Sequence, residues 1–417
     1  MSRTSSEPNS ARRTRVLAVA ALTALTGLIV AGTPAAAATG PDRTANVVRQ
    51  SPDESLSAEL AELNDEFKRN HRPDAVQKKL DGLVTTNKFP AALAAVRDGK
   101  GPARHYTAGV ANLKTKAKVP VDGRVRIGSN TKMFTAVAVL QLVGEGKVAL
   151  DEPIETYLPK VVRGKGIDGR KITVRQLLQH TSGLPNYTRW LSNVFETRDV
   201  YRSPRQLLDM AFEHKASFAP GTKWEYSNTG YVLLGLLIEK VDGRPVDRSI
   251  DERIIKPLGL RHTYWPGKGD RTIRGRHPQG YGSEKPGAKP VDVTNLDPSW
   301  GWAAGQLIGT PSDLNRFMTA LMDGRLLTPE LLTAMKDTTP ATGMPGGWEY
   351  GLGLMKMPLT CGGFAWGHGG DIPGYETRNG VTEDGRAATI AVTALPENEA
   401  AMLGVLGTLD TALCAKR

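Results

Sequence analysis

A chain of 417 residues that is 40% hydrophobic and 23% charged has the length and apolar content for a sizeable core, which excludes an intrinsically disordered protein. Its formal charge of +11 is spread along the chain, with no dense basic run interleaved with aromatics, and this argues against a nucleic-acid partner. The seven histidines show no H-E-x-x-H or comparable ligand spacing, so neither a metal nor another cofactor is expected.

In chain order, residues 1–38 read as a secretory signal peptide. Arg12, Arg13 and Arg15 form a basic start, Val16 to Ala31 an apolar run, and Pro34 to Ala38 a small-residue cleavage site. That run is short for a membrane span, and no later run approaches the roughly 18 residues a span needs. The expected location is therefore extracellular, with the positive charge suited to an anionic cell wall. Arg15 and Val16 fit a twin-arginine signal poorly, which favours general secretion.

Residues 39–72 are polar, with one helix in SAELAELNDEFKRN, and read as a tether or propeptide. The globular part opens at RPDAVQKKLDGLV, where Asp74 is an N-cap and Val76, Leu80, Leu83 and Val84 recur at helical spacing. AALAAVRDGKGPARHYTAGVANL predicts a hairpin turning at Asp98 to Gly101. IGSNTKMFTAVAVLQLVGEG predicts a helix apolar nearly all round, hence buried. Residues 151–290 read as helical with long loops, in VRQLLQH, SPRQLLDMAFEH and YVLLGLLIEKVDG. PSDLNRFMTALMDG predicts a further helix, and RNGVTEDGRAATIAVTAL a second hairpin turning at Asp384-Gly385. A last helix starts near Asn398, with Met402, Leu406, Leu409 and Leu413 on one face.

Strands at both ends with helices between predict an α/β (α+β) fold. It is a sheet sandwich closed by the two termini, residues 73–150 and 291–417, with an all-helical or mainly helical domain inserted at 151–290. Cys361 and Cys414 are an even pair in an exported chain, which suggests a disulfide over two buried thiols. The bond would clamp the last helix to the strand before His368.

The chemistry starts at Ser129 and Lys132. Three apart on a helix, they share a face. A lysine buried among apolar residues costs several kcal/mol unless paired or neutral. Burial lowers its pKa, so it can serve as a base near pH 7, and a serine beside such a base is an activated nucleophile. An N-cap serine with a snorkelling lysine is the plainer reading of the same pair. Tyr226-Ser227-Asn228 supplies a phenol for proton transfer and a carboxamide, or simply good cap chemistry. His368-Gly369-Gly370 ends an apparent strand where glycines let a substrate approach the backbone, or simply makes a turn.

The three motifs, in this order, resemble the serine β-lactamase and penicillin-binding family, whose motifs are S-x-x-K, Y-x-N and H/K-x-G. The similarity is to its branch of secreted DD-carboxypeptidases, class C β-lactamases and related esterases. LLQHTSGLPNY (177–187), AAGQLIGTPSDLNRF (303–317) and EYGLGL (349–354) extend it over roughly 75–415. The resemblance implies an antiparallel sheet flanked by N- and C-terminal helices, and a disulfide between Cys361 and Cys414 like that of the secreted carboxypeptidases. It makes Ser129 the acyl-accepting nucleophile and Lys132 its proton acceptor. Tyr226, with its pKa lowered by Lys132 and its neighbours, would relay the proton. Asn228 would hold Lys132 and a substrate amide, and His368 would complete the hydrogen-bond ring. The backbone N–H groups of Ser129 and Asp371 would form the oxyanion hole, beside Gly369 and Gly370.

The resemblance implies a secreted hydrolase of peptides, amides or esters, most like a D-alanyl-D-alanine carboxypeptidase acting on cell-wall stem peptides, with β-lactams as inhibitors. An esterase or a D-amino-acid amidase or aminopeptidase is the main alternative, ahead of a β-lactamase or a non-catalytic binder. The sequence departs from the carboxypeptidases where they bind a free carboxylate. Met355-Lys356-Met357 replaces their arginine, and Gly369 and Asp371 stand near the H-x-G motif. Lys356 points away from the site if Met355 points in, and Asp371 is expected to repel a carboxylate. Trp300 or Trp302 is expected to line the pocket.

Overall fold

In a computed structural model, residues 74–415 are described apart from Lys100, Ser192 and Pro286. The signal segment and the tether expected over 1–72 lie outside the described residues. Helix α1 (Ala75–Thr85) is capped by Asp74, whose carboxylate accepts the Val76 N–H, and it buries Val76, Leu80 and Leu83. Strands β1 (Ala91–Arg97) and β2 (Ala103–Gly109) pair antiparallel around the Asp98–Gly101 turn.

Seven more strands come from the C-terminal part of the chain. They are β3 (Thr339–Pro340), β4 (Glu349–Tyr350), β5 (Met355–Pro358), β6 (Phe364–Gly367), β7 (Gly369–Ile372), β8 (Tyr375–Thr382) and β9 (Ala387–Val392). The order across the sheet is β2-β1-β9-β8-β6-β5-β4-β3, with β7 also on β8, and the pairs are antiparallel. The N-terminal strand β1 thus pairs with the C-terminal strand β9, Ala94 opposite Ile390. The two termini close one sheet, with helices on both faces in place of a second sheet.

The alternation of β1 shows how those faces are used. Ala92, Ala94 and Val96 face α1 and the C-terminal helix, whereas Ala91 and Leu93 join the larger core on the other side. That larger core holds α2 (Thr131–Gly144), α3 (Asn228–Asp242) and α4 (Pro311–Met322). Within residues 151–290, α3 and several short helices are joined by long loops, with small two-stranded ribbons at Arg163–Gly164 with Ile167–Asp168 and at Tyr281–Gly282 with Val291–Asp292.

Helix α5 (Glu399–Cys414) starts at Asn398 as expected, but its buried face is Ala401, Val405, Thr408, Leu409, Ala412 and Leu413. Met402 and Leu406 are only half-buried. The helix lies against α1 and the sheet, and small residues allow that close approach where a leucine stripe would hold it off. Cys414 is bonded to Cys361, with Cα atoms 5.7 Å apart. Among the described residues, no helix is long and apolar enough to cross a membrane.

Candidate active site

Gly128 takes φ +50°, a left-handed conformation open to glycine, and residues Gly128–Asn130 form a 3-10 turn leading into α2. Ser129 lies within this turn, half-buried, and is not the helix cap: that position is Asn130, which makes no capping bond. The Asn130 carboxamide instead donates to the Ile127 carbonyl and to Thr377 Oγ1 at 2.6 Å, and accepts from Asn379. The turn is thereby fixed to β8.

Lys132 is completely buried on α2. Its Nζ lies 3.0 Å from Ser129 Oγ, 2.7 Å from Asn228 Oδ1 and 2.8 Å from the Ala304 carbonyl. Asn228 is itself oriented by Asn186, whose Oδ1 accepts both the Asn228 backbone N–H and its Nδ2. Two of the lysine's three partners can therefore only accept, and one, the serine hydroxyl, can donate. A neutral amine fits that set: two N–H bonds go to the carbonyl oxygens and the lone pair faces the serine proton. Burial pushes the Lys132 pKa well below 10.5, against the opposing pull of Asp371.

Tyr226 ends the loop before α3, with its ring centroid 4.8 Å from Lys132 Nζ. Its hydroxyl is sealed from solvent and has no hydrogen-bond partner of ordinary geometry. The expected lowering of its pKa is not what the surroundings produce. Burial raises the phenol well above 10.0, and the Ser129 hydroxyl, acting the other way, does not offset it. A neutral Lys132 carries no charge with which to stabilise a phenolate.

His368 also departs from expectation. Its imidazole does not close a ring with Ser129 and Lys132. Nε2 lies 2.8 Å from the Tyr350 hydroxyl, and Nδ1 lies 2.5 Å from the Gly369 carbonyl, which can only accept. The proton is thus on Nδ1, and Nε2 accepts from Tyr350. Burial pushes the His368 pKa down to about 3. The ring stands 6.3 Å from that of Tyr226 as a neutral wall of the site.

Strand β7 runs hard against the serine turn. A Cβ on Gly370 would come within 2.0 Å of the Ile127 carbonyl, and one on Gly128 within 3.0 Å of the Asp371 amide nitrogen. Only glycine at both positions lets the Asp371 amide approach Ser129. The Asp371 carboxylate is exposed and bonded at 2.8 Å to Arg378 of β8, which also meets the buried Glu376 at 2.6 Å. Arg378 Nη1 lies 2.9 Å from where a Gly369 side chain would begin. A cation that the sequence reading missed thus stands by the H-x-G motif, already held by two carboxylates. Lys356 pairs with Glu349 at 3.3 Å, while Met355 is buried.

Trp300 lines a cavity of about 320 Å³ with Thr188, Leu191, Val194, Leu296 and Pro373. Trp302 is packed on α3 instead, where Gly235 makes room for its ring. Among the described residues there is no cluster of histidine, cysteine and carboxylate able to hold a metal. Asn186, His180 and Tyr350 were legible only as members of the stretches LLQHTSGLPNY and EYGLGL. Nothing in the sequence pointed to Arg378, which reaches the site through the pairing of Arg378 with Gly369.

A family model described as Beta-lactamase matches residues 76–405. The solved D-stereospecific amidohydrolase from Streptomyces sp. is 40% identical, with a TM-score of 0.74 over 82% of this chain and 98% of that one. The D-amino acid amidase from Ochrobactrum anthropi SV3 is 31% identical, with a TM-score of 0.73 over 81% and 96%. An N-acetylmuramyl-L-alanine amidase of Bacillus subtilis is 34% identical over 207 residues, 45% of this chain and 46% of that one. The chain spans about half the length of the curated relatives it matches in this way. With a buried lysine against the serine of S-x-x-K and the family model covering most of the sequence, the chain belongs to the Beta-lactamase family of serine hydrolases and penicillin-binding proteins.

Proposed function

We propose that this protein is an exported serine hydrolase that cleaves D-amino-acid amides or esters through an acyl-enzyme on Ser129. The observation that carries the reading is the contact set of Lys132, whose buried Nζ meets two carbonyl oxygens and, at 3.0 Å, the Ser129 hydroxyl, the one partner able to give it a proton. Lys132 takes that proton as Ser129 Oγ attacks the carbonyl carbon. The Ser129 and Asp371 amides hold the oxyanion, a contribution typically worth 10²–10³ in rate per donor. Tyr226, its phenol kept protonated by burial, passes a proton to the leaving amine or alcohol. Water then enters, and the same groups run in reverse to release the acid. The basic-then-apolar N-terminus and the Cys361–Cys414 disulfide support export.

The substrate follows from charge. No free cation among those described here faces a carboxylate: Lys356 is paired with Glu349, and Arg378 with Asp371 and Glu376. A D-alanyl-D-alanine terminus would meet the Asp371 carboxylate, whereas an amide or ester would not be repelled. The named activities of the two solved amidohydrolases agree with this. Cell-wall peptides with a capped terminus remain in the same substrate class, and β-lactams would acylate Ser129.

The test compares a D-amino-acid amide, its nitrophenyl ester, free D-Ala-D-Ala and a chromogenic cephalosporin. Turnover of amide and ester should exceed that of the free acid and vanish in Ser129→Ala, with any inhibitor adduct on Ser129. Asp371→Asn should raise kcat/KM for the free acid roughly five- to tenfold, by removing a repulsion of about 1 kcal/mol and freeing Arg378. Faster cleavage of D-Ala-D-Ala than of the amide by the wild type would return the carboxypeptidase assignment. An adduct elsewhere would overturn the mechanism.

A further inference from the structure

The Tyr226 hydroxyl has no hydrogen bond of ordinary geometry to hold it, yet the mechanism above needs it fixed beside Ser129 and Lys132. It sits in a loop that belongs to no strand, between Thr222 and the start of α3. The main chain on both sides of Tyr226 is held by a single residue on the facing turn. His180 accepts the Glu225 N–H at 3.0 Å through its carbonyl, and the Ser227 N–H at 3.2 Å through ring Nδ1. The two amides on either side of Tyr226 are thus bound by one residue, with an imidazole nitrogen standing in for the main-chain carbonyl a strand would have offered.

That role has a visible cost. His180 is held at φ +62°, a left-handed conformation unfavourable for a histidine. Because Nδ1 accepts, the ring proton is on Nε2, which is buried and has no polar partner. The ring is gripped by aromatics instead: Tyr226 at 4.3 Å, Tyr350 at 4.6 Å and Tyr231 at 5.3 Å between centroids. A residue needed only to fill this space would not require a strained backbone or leave a donor unmet.

We propose that His180 is the positioning residue for Tyr226, clamping the amides on both sides of it so that the phenol stays directed at Ser129 and Lys132 during acyl transfer. The inference rests on the acyl-enzyme reading, and labelling of wild-type Ser129 by a fluorophosphonate tests that reading separately. Absence of label there would sink the proposed function; presence of label leaves the His180 variants to decide the clamp.

The measurement is the acylation rate constant, from the nitrophenol burst of an ester substrate. His180→Gly relieves the backbone but removes the ring acceptor, and should acylate about 100-fold more slowly with little change in KM, as misplacement by about 1 Å does elsewhere. His180→Asn tolerates the left-handed backbone and offers an oxygen near the place of Nδ1, so it should restore most of the rate. In a Tyr226→Phe background, His180→Gly should cost less than about twofold more, because the group it positions is gone. Wild-type acylation by His180→Gly, or a loss that adds in full to that of Tyr226→Phe, overturns the proposal. Should His180→Gly not fold, His180→Asn decides: near wild-type acylation supports the clamp and a loss of about 100-fold overturns it.

Discussion

Lysine and arginine both carry positive charge in water, but only lysine can give up its proton near neutral pH, and the pocket around Lys132 is built on that difference. Its partners Asn228 Oδ1 and the Ala304 carbonyl use two N–H bonds, and a third N–H would point a donor at a serine that must itself donate. Lys132→Arg should therefore lose 10²–10⁴ in acylation rate, the usual contribution of a general base. Fluorophosphonate labelling checks this, and labelling at the wild-type rate would make the lysine structural. Spacing put Ser129 and Lys132 together, but the ion pair that holds the Asp371 carboxylate needs Arg378, which only the pairing of β7 with β8 brings near.

The elements decide how closely the site can be assembled. β7 packs on the serine turn without side chains between them, so a single methyl is enough to separate the two. Gly370→Ala would place its Cβ 2.0 Å from the Ile127 carbonyl, a distance that the backbone must open. The Asp371 amide would move away from Ser129, and kcat should fall about 10²–10³-fold through loss of an oxyanion donor. A thermal midpoint near that of the wild type would separate this from misfolding; unchanged kcat would show that β7 supplies no donor. On the opposite face, α5 lies between sheet and solvent, and its end is tied to the chain ahead of β6 by Cys361–Cys414. Closing that loop stabilises by about 4 kcal/mol through lost unfolded-state entropy. Reductant should thus lower the thermal midpoint without changing acylation, and two freely alkylatable thiols in the native protein would refute the bond. The start of α5 was legible from Asn398, and Leu409 and Leu413 are buried as expected, but Met402 and Leu406 are not, because α1 selects small residues there by its closeness.

At the scale of the whole molecule, the site places two neutral imidazoles, His180 and His368, in the interior, and this ties stability to pH. Burial lowers both; for His368 the value is about 3, against 6.5 when unfolded. Between those values the unfolded chain binds protons that the folded one refuses, so stability is fully present above about pH 6.5 and falls as pH drops. For His368 the slope in that window is about 1.4 kcal/mol per pH unit, and His180 acts in the same direction. Glu376 works in the opposite direction: burial raises it from 4.5 to about 7, so its contribution is present at low pH and lost as pH rises through about 7. Two histidines outweigh one glutamate, and thermal unfolding between pH 8 and 4 should show a falling midpoint. His368→Asn should make that fall shallower, and an identical profile would mean that His368 is protonated in the fold.

The sequence by itself determined what is local or repeated along the chain. Caps, turn residues and apolar periodicity set α1, both hairpins, α2, α4 and the start of α5, because each depends on neighbours a few residues apart. The three motifs with their order were enough to identify the family and to single out Ser129, Lys132, Tyr226 and Asn228. Tertiary structure decided what depends on distance through space. It set which face of α5 is buried, that His368 bonds to Tyr350 and not to the serine, and that burial raises Tyr226. It also brought Arg378 to Asp371 and His180 to Tyr226, partners remote in sequence. A pKa and a hydrogen-bond partner are properties of the surrounding volume, and that volume is filled by segments hundreds of residues apart, whose approach no short-range pattern encodes.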